Sequence, residues 1–260
     1  MDYHHAIKAR WAGRNSDKDV IREDAWNKLK LNKVNIGQIE SRIPNFVGAD
    51  IAAFNLANQD IWQNARVVKC NPDPSQIPVR LRALVENKRL YMPVPELVKK
   101  RPFVLLDPIR LARLNISYEL AATSQGALEY GEPVEFDEIP EIDIVVIGCV
   151  AVTKKGARIG KGAGFADIEL GIFRELGLVS KDTPVVTTVH SLQIIADDKL
   201  GMMPHDYPLD WIFSESDTLK TNTIYKKPLG IEWDNIQDDQ YRDIPFLKSL
   251  REQIEVKRIK

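Results

Sequence analysis

Four glycines, Gly156, Gly160, Gly162 and Gly164, fall within a nine-residue stretch and are interleaved with Lys154, Lys155, Arg158 and Lys161. Glycine lets successive backbone N–H groups converge, because no Cβ blocks positive φ or close approach. Concave runs of amides bind anions, and the N-terminus of a following helix adds positive potential. Asp167 stands where such a helix would begin, placed to hold Mg²⁺ against bound phosphates. The pattern is not the P-loop, which closes on Gly-Lys-Ser/Thr. It is not the dinucleotide-binding turn either, whose glycine spacing and later acid differ. The residues alone leave two readings open: a phosphate cradle, or an exposed strand-to-helix turn carrying ordinary surface lysines.

Two further groups bear on that choice. Lys18 and Arg22 are four apart on an expected helix and share one face, either a solvated stripe or a second source of positive charge. His205-Asp206 and Asp210 precede an apolar run, where an aspartate is a metal ligand or a turn former. The other histidines read as structural: His4 and His5 as surface residues, and His190 as a core histidine at a strand end. Trp26 and Trp62 fit packing better than base stacking.

The elements that must position these groups follow from periodicity. Ser16 to Asp19 reads as a capping box opening a helix to about Leu31, with Ile21, Ala25 and Leu29 on its apolar side. Residues 51–57 read as a second helix and 79–86 as a short one. Strands are expected at 65–70, 88–95 and 103–106, then in the long apolar run 142–152, and again at 184–190 and 207–214. The proline-rich stretch 71–75 is loop chemistry. A helix from Ile168 should end at Gly177, and another should span 244–256. Strand, helix and strand in succession imply an α/β fold with a mostly parallel sheet and helices on both faces.

The chain has 260 residues, 44% of them apolar and 28% charged, with a formal net charge of -1. That suits an ordinary globular protein and lacks the basic excess of a general nucleic-acid binder, so no nucleic-acid partner is expected. Cys70 and Cys149 sit in apolar runs and read as buried thiols. The N-terminal residues show no apolar core of a secretory signal, and no run approaches a membrane span. A cytoplasmic protein with no membrane partner is expected.

Taken together, these segments resemble the 5-formyltetrahydrofolate cyclo-ligase (methenyltetrahydrofolate synthetase) family. Its pattern Gly-Arg-Arg/Leu-Gly-basic-Gly-X-Gly-Tyr-Tyr-Asp is matched by Gly-Ala-Arg-Ile-Gly-Lys-Gly-Ala-Gly-Phe-Ala-Asp at 156–167. Its Lys-X-X-Leu-Arg helix is matched by Lys18 to Arg22, and its His-Asp-X-X-X-Asp segment by His205, Asp206 and Asp210. The resemblance implies a three-layer α/β/α sandwich related to the CoA-transferase and ribose-phosphate-isomerase group. It implies an N-terminal arm at 1–15, a cyclo-ligase-like domain at 16–220, and a charged extension at 221–260. It also implies a ligase that uses ATP with Mg²⁺ to convert 5-formyltetrahydrofolate to 5,10-methenyltetrahydrofolate, a step of one-carbon metabolism. By position, Lys18, Arg22, Arg158, Gly160, Lys161, Gly162 and Gly164 would hold the triphosphate. Lys18, Arg158 and Lys161 would neutralise charge in the transfer, and Asp167 and Asp206 would hold the metal.

The substrate half departs from the pattern. Phe165 and Ala166 replace the paired tyrosines, and Gln76 stands where the family has a substrate-binding Glu. Phe165 and Gln76 are the expected substrate contacts, with Arg80 and Arg82 nearby as candidate partners for an anionic group. In this respect, and at 43–49 and 188–190, the chain looks closer to the divergent methenyltetrahydrofolate-synthetase-domain-containing branch. An ATP-using protein with a different small-molecule substrate, or a non-catalytic nucleotide-binding protein, therefore stand as alternatives.

Overall fold

A computed structural model of the chain describes residues 14–94, 97 and 101–259. His4, His5, most of the expected N-terminal arm and Pro95 lie outside the described residues. The strands are β1 (Val67–Cys70), β2 (Arg89–Pro93), β3 (Phe103–Leu106), β4 (Glu132–Val134), β5 (Ile144–Val146), β6 (Ala151–Thr153), β7 (Arg158–Ile159), β8 (Val185–Thr188), β9 (Ile194–Ile195), β10 (Trp211–Phe213) and β11 (Thr218–Lys220). Eight of them form one sheet in the order β11-β10-β8-β5-β1-β2-β3-β4. Its centre is parallel, from β2 through β10, and antiparallel strands close both edges. β7, β6 and β9 form a second, three-stranded sheet.

The expected single strand at 142–152 is thus two strands in two sheets. β5 stays in the large sheet, the chain leaves it around Gly148, and β6 enters the small one. The run carries almost no breaker because both halves are buried; Val145, Val146, Val150 and Val152 are each fully buried. β3 matches its expected run, and the other strands are shorter than the apolar runs that announce them, as at 207–214, where only β10 pairs and Pro208 has no N–H to donate.

The principal helices are α1 (Ser16–Leu31), α2 (Ala49–Ala57), α3 (Ile77–Val85), α4 (Phe165–Glu175), α5 (Asp238–Asp243) and α6 (Pro245–Ile259), with short helical turns between them. Side chains alternate along each strand, so successive residues feed opposite cores. Val67, Val145, Val185 and Ile212 join a core with Ile168, Leu170 and Phe173 of α4 and Leu247 and Leu250 of α6. Val68, Ile144, Val146 and Phe213 join the opposite core with Ala53 and Leu56 of α2 and Val79, Ala83 and Leu84 of α3. Helices cover both faces, giving the expected three layers. Each fully buried aliphatic or aromatic side chain here contributes roughly 1.5–3 kcal/mol by leaving water. The extension beyond residue 220 is no appendage, since Ile231, Ile244, Leu247 and Leu250 are built into the first core.

α1 packs instead on the small sheet, through Ala25, Trp26 and Leu29 against Val150, Ala157 and Ile159. Its cap is Asn15 rather than Ser16: the Asn15 side chain accepts from Lys18 N at 3.0 Å, and Ser16 is already helical. α4 begins three residues earlier than its apolar pattern suggests, directly after Gly164, and ends as expected beside Gly177, which takes φ +73°. Both thiols are buried, and burial pushes Cys70 up to about 11, keeping it protonated. Among the described residues no helix is long and apolar enough to cross a membrane.

Candidate functional site

The chain runs from β1 outward to β2 on one side, whereas β5, β8 and β10 extend the sheet on the other. The carboxyl ends of β1 and β5 therefore flank a point where strand order reverses, the place where open α/β sheets bind ligands. Asn71, Pro72 and Asp73 follow β1, Gly148 follows β5, and all four line a cavity of about 490 Å³. The wall facing them is the glycine-rich turn from Arg158 to Asp167, with Lys18 and Arg22 of α1, His205 and Asp206.

The turn is built as a cradle. Gly162 and Gly164 adopt φ +110° and +76°, conformations a side chain would strain. The N–H groups of Gly160, Lys161, Gly162, Ala163 and Gly164 donate to no acceptor among the described residues. Gly164 is the N-cap of α4 and supplies no side-chain cap, so the positive end of that helix also opens here. Orphan amides at a helix N-terminus are what an anion satisfies. Gly156, also at positive φ, belongs instead to the hairpin between β6 and β7, where an added Cβ would lie 2.5 Å from Leu209 O. Lys154 and Lys155 sit at that hairpin and do not line the cavity; Lys155 Nζ is 3.9 Å from Asp197.

The basic residues divide by role. Lys161 is exposed at the rim, with no salt bridge among the described residues. Lys18 reaches across from α1 and donates to Asp206 Oδ2 at 2.6 Å. Arg22 acts as a brace: its Nε donates to Gly160 O at 2.8 Å, and its Nη1 pairs with Asp19. Arg158 is buried, donates from Nε to Tyr207 O at 2.8 Å, and pairs through Nη2 with Asp167 Oδ1.

Asp167 and Asp206 come to one end of the cavity. Asp167 Oδ1 also accepts from Tyr207 N at 2.9 Å, and Asp206 Oδ2 from Met203 N at 2.7 Å. Each carboxylate commits one oxygen to protein donors. Burial pushes the Asp167 carboxyl up, Arg158 opposes this, and the nearby Asp206 adds to it. No group of three or more His, Cys, Asp or Glu able to hold a metal exists among the described residues. Two hard carboxylates beside a run of amides without acceptors nonetheless fit Mg²⁺, which takes one or two protein carboxylates together with phosphate and water oxygens.

Of the two expected substrate contacts, Phe165 lines the cavity, and Ala166 lines it beside Phe165. Gln76 does not. It is fully buried behind the loop, and its Oε1 accepts from Asn71 N at 2.9 Å and Cys70 Sγ at 3.1 Å. Arg80, equally buried, donates to the carbonyls of Asn71, Asp73 and Ala122. Arg82 lies over the Phe54 ring at 5.2 Å. Neither arginine reaches the cavity; polar side chains that looked like substrate contacts instead hold the 71–74 loop in place. His190 is structural too, its Nδ1 accepting from Leu192 N at 3.1 Å. Asp210 ties strand ends by accepting from Val185 N at 2.7 Å.

Sequence reasoning found Asp167 and Asp206 but missed further acids that line the cavity. Asp73 projects into it from the 71–74 loop, opposite Lys161; burial raises its carboxyl and Lys161 is the strongest influence opposing that rise. Gly148 makes the room: a Cβ there would lie 2.6 Å from Asp73 Oδ2 and 2.9 Å from Ile43. Glu169 of α4, buried, pairs with Lys69 of β1, whose Nζ also donates to Asn71 Oδ1. The one available signal was the charge itself, an aspartate between two prolines and a lysine inside an apolar strand.

Comparison with known proteins places the chain in a family. The sequence model of a family described as the 5-formyltetrahydrofolate cyclo-ligase family matches residues 14–215. A methenyltetrahydrofolate synthase domain-containing protein of Homo sapiens is 37% identical over 90% of this chain and 61% of its own length. One of Danio rerio is 36% identical over 89% of this chain and 60% of its own. The chain thus spans about three-fifths of the length of the curated relatives it matches. Among solved structures, the 5,10-methenyltetrahydrofolate synthetase of Aquifex aeolicus aligns over 83% of this chain and 100% of its own, at 18% identity and a TM-score of 0.48.

Proposed function

The chain belongs to the 5-formyltetrahydrofolate cyclo-ligase family, and from that premise we propose that it binds Mg·ATP in the 158–167 turn and uses it to cyclise 5-formyltetrahydrofolate to 5,10-methenyltetrahydrofolate. One observation carries the nucleotide half: five successive amides with no acceptor among the described residues, at a helix N-terminus, with Lys18, Lys161, Asp167 and Asp206 around the same cavity.

In the proposed reaction the formyl oxygen attacks the γ-phosphorus and ADP leaves. N10 then attacks the formyl carbon, gives up its proton, and phosphate departs with the former formyl oxygen. An amide oxygen is a poor leaving group and its phosphate a good one, so the protein need mainly align the partners and neutralise charge. The amides of 160–164 face the transferred phosphoryl group, and Lys161 and Lys18 add full charges in a partly water-excluded site. Arg158 holds Asp167, and Arg22 holds the Gly160 carbonyl, so that the donors stand in place before the charge develops. Mg²⁺, held by Asp167 and Asp206, would supply charge neutralisation at the phosphates. Phe165 offers a flat apolar face for a ring, and Asp73 offers an acceptor.

A second reading is favoured by Ala166, which lines the cavity and supplies neither a ring nor a hydroxyl. In it the same nucleotide machinery activates a different small molecule. Purified protein with Mg·ATP and 5-formyltetrahydrofolate separates the two, followed by absorbance of the methenyl product. Turnover within the ordinary enzyme range of roughly 1–10³ s⁻¹ supports the first. Nucleotide binding without product supports the second, and absence of nucleotide binding defeats both.

A further inference from the structure

The family match ends at residue 215, yet the cavity does not. Part of its wall comes from residues 230–240, including Ile231, Ile236, Gln237 and Gln240. This segment lies along α4 in the opposite direction. At its start Ile231 N donates to Glu175 Oε1 at 3.2 Å, and Gly171 brings the two backbones close: a Cβ there would lie 3.1 Å from the Ile231 side chain. At its far end Gln240, only 4% exposed, donates from Nε2 to Ala163 O at 2.7 Å. The same amide lies 2.9 Å from where a Cβ on Gly164 would sit. Arg14 joins this end, donating to Ala163 O at 3.2 Å and to Asp239 at 2.6–2.7 Å.

These contacts fall on the carbonyl side of the turn. In a trans peptide the C=O and N–H of one unit point in opposite directions, so a donor that fixes the Ala163 carbonyl also fixes the Gly164 N–H, which has no acceptor among the described residues. We propose that Gln240 is a positioning residue for nucleotide binding: through the Ala163 carbonyl it holds the 160–164 amides in their anion-binding arrangement, and the 230–240 segment, outside the family match, is an integral wall of the ligand site. The inference rests on the triphosphate reading of that turn.

Gln240 has a second, purely structural contact that the test must separate. Its Oε1 accepts from Gln237 N at 2.9 Å, closing the first turn of α5. Gln240→Glu keeps that acceptor and loses the donor to Ala163; Gln240→Met loses both without adding charge. Mg·ATP affinity of the full chain is measured by calorimetry for wild type and both variants, well below their melting midpoints. Hydrogen exchange of peptides covering 236–242 is followed with and without Mg·ATP. Loss of one buried hydrogen bond corresponds to roughly 3- to 10-fold in affinity. Weakening of at least about 3-fold in both variants, with nucleotide-induced protection of 236–242 present in wild type and lost in both, is the expected result.

Each other outcome overturns the inference in a recognisable way. A weakened Gln240→Met beside a normal Gln240→Glu reduces the role to capping α5. A weakened Gln240→Glu beside a normal Gln240→Met reduces it to charge repulsion. Unchanged affinity in both, or no nucleotide effect on 236–242 in wild type, removes the coupling while leaving the triphosphate reading intact. A wild-type chain that fails to bind Mg·ATP defeats the triphosphate reading itself, and this inference with it.

Discussion

Arg158 and Asp167 stand at opposite ends of the glycine-rich turn and form an ion pair across its base, with side chains 2% and 16% exposed. The loop between them is closed by charge before any ligand arrives. Asp167→Asn keeps an acceptor for Tyr207 N but leaves the Arg158 guanidinium buried without its counter-charge. Breaking such a pair costs on the order of 3 kcal/mol. Denaturant unfolding should show a loss of that size, and Mg·ATP affinity should fall as well. A variant as stable as wild type would show that the pair contributes little to the turn.

Lys18 comes from a helix that packs on the small sheet, and it touches the site only through its ammonium. Lys18→Met should therefore leave the melting midpoint within a few degrees of wild type while weakening Mg·ATP. A hydrogen bond to a charged group is worth about 1.5–3 kcal/mol, or roughly 10- to 150-fold in affinity. Calorimetric titration reads the change directly, and equal affinity would remove Lys18 from the nucleotide site.

Asp73 imposes a pH dependence of known sign. Burial holds its carboxyl above the ordinary carboxylate value in the folded chain. Its favourable contribution is therefore full at pH below the unfolded value and is lost as pH rises through the raised folded value. At neutral pH the charged form is a burden on the fold. Asp73→Asn should raise the neutral-pH melting midpoint, by roughly 2–4 °C for each 1 kcal/mol gained, and flatten the acid side of the stability profile. It should lower turnover at the same time. A lower midpoint at pH 7 would mean that Lys161 more than offsets the burial.

Restoring the family's residues separately tests the substrate half. Gln76→Glu would place a carboxylate where Gln76 is fully buried and accepts from Asn71 N. It should destabilise the 71–74 loop and bring no gain in cyclo-ligase turnover. Ala166→Tyr adds a ring directly to the cavity wall and should improve binding of 5-formyltetrahydrofolate severalfold, read as a lower KM. Improvement from Gln76→Glu instead would mean that the loop rearranges when substrate binds.

The glycine-rich side of the cavity was legible because its residues are close in sequence. Glycines, basic residues and Asp167 fall in one short stretch whose spacing dictates backbone geometry, and Lys18 and Arg22 share a helix face. The opposite side was not, because a polar residue facing a cavity and one holding a loop look alike in sequence. Gln76 and Arg80 bind backbone carbonyls and amides, and nothing in their neighbours' side-chain types announces it. Asp73 hides in a run of prolines that reads as a turn and is one. The division between β5 and β6 is invisible for a related reason: two sheets that bury both faces demand the same apolar residues, so only Gly148 marks the crossing. The 230–240 wall falls in the expected charged extension, and its contact with the turn is one glutamine, Gln240, which no apolar pattern marks.

Gly148 ties the history of one position to that of another. Any side chain at 148 meets the Asp73 carboxylate, so alanine there must displace the acid into the cavity or remove it. Across related chains the two positions should change together: glycine wherever an acid occupies 73, and larger residues tolerated at 148 only where that acid has shortened or gone.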